Sequence, residues 1–410
     1  MAVNLIRNSR VFFTTNVDSF GRVKVGTYKD GASPMTTSNC WELQVLDGLT
    51  FSQNTTVDTV TLNEAGASPS RGQRSFNTAL QPLDFSFSTY MRPYKNGASD
   101  PVTAEERVLW NAFSGAAAIG AGTAAWVETS SGSAPYTNGT GTLSFANSNK
   151  HQLLPFGLII MFDASAYALD NCALDTATID FGIDAIAAIQ WAGKGSQIRA
   201  LTDLTADTAS PVVFSGTDVT GTSPDPADQA TAKNIYGRYI TNKLSTMILN
   251  DGINDFTNTN TPSTTYSVAL TGGQITFSNN LTYLTPANLA TVNTPITYFT
   301  GTRAISGNVT AYLKTGTNET ATLLKDMLAS SSTTVDPKFT INVQLGGPTT
   351  NATGVEFKLP AAMLQIPQIN TAQVISTTIN FTAQGYASSA YDITAANEAT
   401  VVYRSAQASA

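Results

Sequence analysis

Two well-separated stretches of the chain repeat one order of segments, and this repetition limits the possible folds more than any single motif. Leu83-Asp-Phe-Ser-Phe-Ser-Thr-Tyr90-Met-Arg92 is matched by Ile305-Ser-Gly-Asn-Val-Thr-Ala-Tyr312-Leu-Lys314. Each is followed by a segment of helical spacing. The first opens after Asp100-Pro101 with Thr103-Ala104-Glu105-Glu106, the pattern of a capping box, and sets Val108, Leu109, Ala112 and Phe113 on one side. The second, preceded by Asn318-Glu319, sets out Leu323, Leu324, Met327 and Leu328. Apolar groups at i, i+1, i+4 and i+5 make a narrow stripe suited to lying on a sheet. Further on, Leu174-Asp-Thr-Ala-Thr-Ile179 parallels Ile369-Asn-Thr-Ala-Gln-Val374. A repeat of this length predicts two copies of a domain rather than a solenoid unit.

Between these landmarks the pattern is that of strands. Phe339, Ile341, Val343 and Leu345 alternate with polar residues, as do Ile375, Ile379 and Phe381, and Ile179, Phe181 and Ile183. That is the period of a strand with one buried face. Asp47-Gly48, Asn96-Gly97, Asn138-Gly139, Gly272-Gly273 and Gly346-Gly347-Pro348 read as turns separating such runs. Charged residues make up only 12% of the chain and threonine supplies 60 of 410 positions, a composition suited to pleated surfaces. The expected fold class is mainly β: two tandem sandwich or partial-barrel domains, each with one packed helix.

Residues 201–232 contain five Asp and no Lys or Arg, with Pro211, Pro224 and Pro226, and read as an acidic linker or exposed insertion. The flanking domains are then 1–200 and 233–410. Most of the net charge of −7 sits in that segment. Residues 1–20 carry Arg7 and Arg10 but no continuous apolar core, so no signal peptide is legible. The most apolar stretch, Leu153 to Leu169, is broken by Pro155, Gly157 and Asp163; it reads as buried strand rather than membrane span. Cys40 and Cys172 are too few for a disulfide framework and read as buried thiols.

Little here suits catalysis. His151 is the one histidine, no Gly-x-Ser-x-Gly elbow accompanies it, and it reads as a surface or loop residue. Asp180 and Asp184, four apart on one predicted strand, could serve acid–base chemistry or a hard cation. Their opposite face is apolar, so the plain reading is a strand with one wet side. Gly193-Lys194-Gly195-Ser196 lacks phosphate-loop spacing, and Cys/His metal spacings are absent. Basic residues never cluster into a nucleic-acid stripe. Trp126, Tyr136 and Trp191 are assigned to core or interface. The expectation is a non-enzyme without cofactor or metal, working through its surfaces.

Several phrases resemble major tail tube proteins of tailed bacteriophages. They are Val11-Phe-Phe-Thr-Thr-Asn16, Trp41-Glu-Leu-Gln-Val-Leu-Asp-Gly-Leu-Thr-Phe-Ser-Gln53, Arg71-Gly-Gln-Arg-Ser-Phe-Asn77 and Asp84-Phe-Ser-Phe-Ser-Thr-Tyr-Met-Arg-Pro93. Ala177-Thr-Ile-Asp-Phe-Gly-Ile-Asp-Ala-Ile-Ala-Ala-Ile-Gln-Trp191 belongs with them, and the closing Ile379-Asn-Phe-Thr382 extends the likeness to the second half. The resemblance implies a virion protein made in the host cytoplasm. Its rings stack into a tube, and its inner strands join into a continuous barrel on ring assembly. A duplicated domain implies three chains per pseudo-sixfold ring, with six chains the alternative. Implied partners are further copies of the chain, a tape measure protein and transiting DNA held without sequence-specific contacts; a tail sheath is left open. A conduit should not hold its cargo, and Lys and Arg supply most non-specific DNA affinity. Asp180, Asp184, Ser376, Thr378 and Asn380 are therefore the expected lumen-facing residues. The N-terminal segment through Lys29-Asp30-Gly31 and the loop Lys95 to Asp100 are stacking candidates. Rival readings are a carbohydrate-binding or adhesin-type virion protein, and a tail hub or terminator with the same fold.

Overall fold

The computed structural model describes residues 9–24, 39–60, 74–95, 100–115, 117–118, 121, 123–130, 139–145, 152–162, 165–201, 239–253, 265–287, 289, 292–331, 338–346, 353–366, 368–371, 374–385 and 397–405. The first half contains β1 (Arg10–Thr14), β2 (Cys40–Leu43), β3 (Thr50–Ser52), β4 (Thr55–Val60), β5 (Arg74–Leu80) and β6 (Leu83–Tyr90). Helix α1 (Arg107–Ser114) follows, then β7 (Trp126–Thr129), β8 (Thr140–Ser144), β9 (Phe156–Met161), β10 (Ala166–Asp180), β11 (Ala188–Gly195) and β12 (Gln197–Ala200). The second half contains β13 (Thr246–Ile253), β14 (Thr265–Val268), β15 (Leu270–Ser278), β16 (Leu281–Leu284), β17 (Thr297–Thr300) and β18 (Ala304–Tyr312). Helix α2 (Thr320–Ser331) precedes β19 (Lys338–Leu345), β20 (Gly354–Leu364), β21 (Gln368–Thr371), β22 (Ile375–Gln384) and β23 (Thr400–Arg404).

Both halves follow one plan of two antiparallel sheets. The back sheet runs β2–β1–β9–β10–β12 in the first half and β14–β13–β19–β20–β23 in the second. The front sheet runs β3–β6–β11–β10 and, correspondingly, β15–β18–β22–β21. The long β10 serves both sheets because it bends at a bulge between Leu169 and Cys172, where Asn171 takes a positive φ of 49°. The corner is pinned by the buried Asp170 carboxylate, which accepts from Arg199 Nε at 2.8 Å and from the Val23 N–H at 2.9 Å. The free edge of β12 is blunted by a side chain. Gln53 accepts from the Ile198 N–H at 2.9 Å and donates to the Ser196 carbonyl at 2.8 Å.

The halves are fused at three levels. β10 pairs with β15 over Thr176–Asp180, so the two front sheets form one. β23 pairs with β8, which extends the second back sheet with β8 and β7 from the first half. Between the layers, Trp110 of α1 lies edge-on to Trp191 at 4.9 Å and to Phe277 at 5.4 Å, and its Nε1 donates to the Tyr403 hydroxyl at 2.8 Å. Asn279, buried at the end of β15, donates to the carbonyls of Phe113 at 2.9 Å and Leu174 at 3.0 Å. One apolar cluster accordingly contains residues from both halves.

Several expectations meet a different local structure. The capping box does not form. Thr103 is bridged to Tyr94 and gives its hydroxyl to Glu128, while Glu106 is buried and makes no side-chain cap. Val108, Leu109, Ala112 and Phe113 are all buried as expected, but on α2 only Leu323 and Met327 are; Leu328 is exposed. Gly272-Gly273 is not a turn but lies inside β15. Gly48, Gly139 and Gly346 take the positive φ that such turns need, 103°, 82° and 93°, while Asn138 and Asn96-Gly97 lie outside the described residues. Strand pairing also shifts the proposed repeat alignment. Ile179 faces Ile189 on β11 as Ile369 faces Thr377 on β22, so Ile369 matches Ile179 rather than Leu174. Cys40 and Cys172 are buried free thiols, and burial pushes both up in pKa. No described helix is long and apolar enough to cross a membrane.

The Glu106 carboxyl beneath α1 is a buried load on the fold. Its oxygens make no full hydrogen bond. Burial lifts it from 4.5 to about 7, and nearby backbone N–H groups and the Tyr403 hydroxyl offset this only in part. The native state retains the proton after the unfolded chain has lost it, so stability falls as pH rises between those two values. Glu106→Gln should therefore leave stability nearly unchanged at pH 4.5 and raise it above pH 7 by up to about 3 kcal/mol, read by urea unfolding at both values.

Candidate functional site

The outer face of the fused front sheet is the surface that both halves build together. Alternation sends Ile179, Ile189, Ile275, Val309 and Ile379 inward, where they are buried, and their neighbours outward. One cross-strand row of outward residues reads Tyr90, Ala188, Asp180, Gln274, Asn308 and Asn380. The next reads Ser88, Gln190, Thr178, Thr276, Ser306 and Thr382. Both rows cross from one half to the other without a break, and the Thr178 and Thr276 hydroxyls meet at 3.4 Å on the boundary.

Four of the five expected lumen residues share this face. Asp180 closes β10, while Ser376, Thr378 and Asn380 lie along β22. Asp184 does not share that strand. β10 ends at Asp180, and Asp184 sits in the following turn, exposed, with its carboxylate 3.7 Å from the equally exposed Lys243 ammonium. The chain leaves the strand pattern there because Phe181 is the last residue held to β15, its N–H donating to the Gly273 carbonyl at 3.0 Å. Ile183, which the alternation places with the core, is consequently exposed.

The charge on the face is small. Among its described residues the ionic side chains are Asp84, Asp175, Asp180 and Lys194. Lys194 lies 2.7 Å from Asp84, and Asp175 accepts from the Leu281 N–H at 2.8 Å. Hydroxyls and amides make up most of the remainder. Such a surface offers hydrogen bonds that water satisfies equally well, and three carboxylates against one ammonium give no attraction for phosphate.

Under this polar face the sheet is held flat against the core by three matched pairs of phenylalanine and glycine. Phe85 crosses to Gly193 in the first half, Phe381 to Gly307 in the second, and Phe181 to Gly273 at the boundary. A Cβ on any of these glycines would come within 2.4–2.5 Å of the facing ring, so only glycine lets the ring lie across the neighbouring strand. The aromatic partner changes strand between the halves, from β6 to β22, so sequence alignment of the repeats does not reveal the pairing.

Other candidates do not converge. Gly193-Lys194-Gly195 is strand, not a phosphate loop. Trp126 and Trp191 are buried, their indole N–H groups donating to Glu128 and Thr89 at 2.9 Å. Among the described residues no group of three or more His, Cys, Asp or Glu could hold a metal ion. His151 and Tyr136 lie outside the described residues. The face residues that the sequence does not single out, among them Gln190, Thr276 and Asn308, sit in ordinary alternating runs. Only the register across β10 and β15 brings them together.

No protein-family model matches the chain. Over 393 residues it is 30% identical to the tail tube protein pb6 of Escherichia phage T5, an alignment spanning 93% of this chain and 73% of that protein. This chain belongs to the phage tail tube proteins. A tail tube protein is a structural component of the virion tail, and its fold here is mainly β with a continuous polar sheet face.

The two faces of β22 should respond differently to substitution. Asn380→Ser is expected to change stability by less than about 0.5 kcal/mol. Ile379→Ala, one residue away but pointing into the core, should cost about 2–5 kcal/mol in urea unfolding.

Proposed function

We propose that three copies of this tail tube protein close into a pseudo-sixfold ring, that rings stack into the tail tube, and that the polar front-sheet face lines a lumen through which DNA passes. The observation that carries this reading is the unbroken polar face across β10 and β15. Two sheets joined at their edges within one chain already form part of a wall, and three such chains supply six sheets. The assignment makes 1–200 and 233–410 two tube domains joined by 201–232, with the inner strands of the ring meeting as one barrel. Asp180, Ser376, Thr378 and Asn380 then face the lumen, with Asp184 at its rim. A wall of hydroxyls, amides and a few carboxylates lets DNA and a tape measure protein slide without being retained. The role is structural rather than enzymatic.

Stacking between rings is assigned to the two hairpins that lie outside the main sheets, β4–β5 and β16–β17, the second packed by Leu281 and Tyr283 onto the first half. They carry exposed Val57, Val60 and Phe76, and Leu284 and Phe299. They also touch, the Leu80 N–H donating to the Asn293 carbonyl at 2.7 Å. Of the other stacking candidates, 1–8 and 25–31 of the N-terminal segment and 96–99 of the loop after Lys95 lie outside the described residues.

Electron microscopy of the purified protein, averaged down the ring axis, should show a central hole with threefold symmetry and six similar densities. Rings of six chains, or particles without a hole, would refute the stoichiometry or the tube. For the lumen, tubes of the double variant Asp180→Lys, Asn380→Lys should bind linear duplex DNA in a salt-dependent manner while parent tubes do not. Equal binding by both would place this face elsewhere.

A further inference from the structure

The boundary between β10 and β15 is a template for the contact between neighbouring chains. The geometry points to β21 of one copy pairing antiparallel with β3 of the next, in a register that places Ile369 opposite Phe51, Gln368 opposite Ser52 and Asn370 opposite Thr50. This inference rests on the ring reading above and specifies its chain–chain joint.

The register follows from strand pairing alone. Ile369 holds the position on β22 that Ile179 holds on β11. Phe51 pairs with Phe85 on β6 as Ile275 pairs with Gly307 on β18, and Phe85 and Gly307 are equivalent because both sit in the matched phenylalanine–glycine pairs. Within the chain Ile179 pairs with Ile275, so the equivalent pair between chains is Ile369 with Phe51.

Exposure shows which joint is already made. Ile179 is 0% exposed, whereas Ile369 is 45% exposed. The helices repeat the contrast. Phe113 of α1 is 0% exposed, lies edge-on to Phe277 at 6.4 Å, and gives its carbonyl to Asn279, all on the side of the second half. Leu328 takes the same place in the apolar stripe of α2 and is 49% exposed. Its occupant is the β3 edge of the next copy. The back sheet is not continued there, since the β12 edge is closed by Gln53. The chain–chain joint is thus an inner-sheet and helix contact, lighter than the intrachain one. That difference suits subunits that fold before they assemble.

Disulfide trapping tests the register. In the template, the equivalents of Gln368 and Ser52 are Thr178 and Thr276, whose hydroxyls meet at 3.4 Å. Oxidation of assembled Gln368→Cys, Ser52→Cys protein should give covalent multimers on a non-reducing gel, ending at a closed species of three chains. Either single variant should give none. The shifted pair Gln368→Cys, Thr50→Cys should cross-link at least several-fold less. Well-formed rings or tubes in which the first pair does not cross-link, or cross-links no better than the shifted pair, would overturn this register and leave the ring reading standing. Failure of the parent protein to form any ring would overturn both. Leu328→Asp supplies a second readout. It should abolish assembly in sedimentation while the isolated chain keeps its melting temperature; unchanged assembly would remove α2 from the joint.

Discussion

The antiparallel pairing of β10 with β15 is the constraint on which the rest of the structure depends. Five residue pairs turn two sheets into one, and everything around the boundary answers that geometry. Trp110 fills the space beneath it, and Asn279 satisfies the carbonyls of Leu174, at the register shift in β10, and of Phe113 in the last turn of α1. β23 and β8 repeat the fusion in the other layer. A buried strand edge without a partner would leave a row of unpaired backbone groups, which costs too much to persist. Duplication within one chain makes this edge contact permanent.

The front sheet has one dry face and one wet face. Packing on the dry side is tight enough that a phenylalanine ring occupies the place of a Cβ at three glycines. On the wet side most described residues are hydroxyls and amides, and Lys194 is turned to Asp84. In the tube wall proposed above, passing a polyanion needs stiffness from one face and indifference from the other. β-Structure supplies both, because alternation separates the two demands onto successive residues.

The charged groups buried at the helix show the opposite style. Glu106 is held in a site that disfavours its ionised form, near the Arg92–Glu105 pair and beside Tyr403 of the last strand. The contact links α1 to the chain's end across the boundary between halves, so this buried acid reports on the joining of the two repeats rather than on either alone.

Much of this was legible without coordinates. Alternation in 339–345, the apolar run around 156–161 and the two helical stripes follow from local periodicity, which depends only on which face of an element meets water. The polar character of β22 and of the end of β10 was readable for the same reason, and the words shared with tail tube proteins pointed to the family. The sequence by itself determined the class of fold and the duplication. It did not reveal that Asp184 leaves the strand, that Gly272-Gly273 is strand rather than turn, or that Ile369 rather than Val374 matches Ile179. Those facts depend on register, the choice of which residue faces which on another strand. Only the tertiary structure decided them, because contacts between distant strands outweigh the local preferences of a glycine pair or an alternating run.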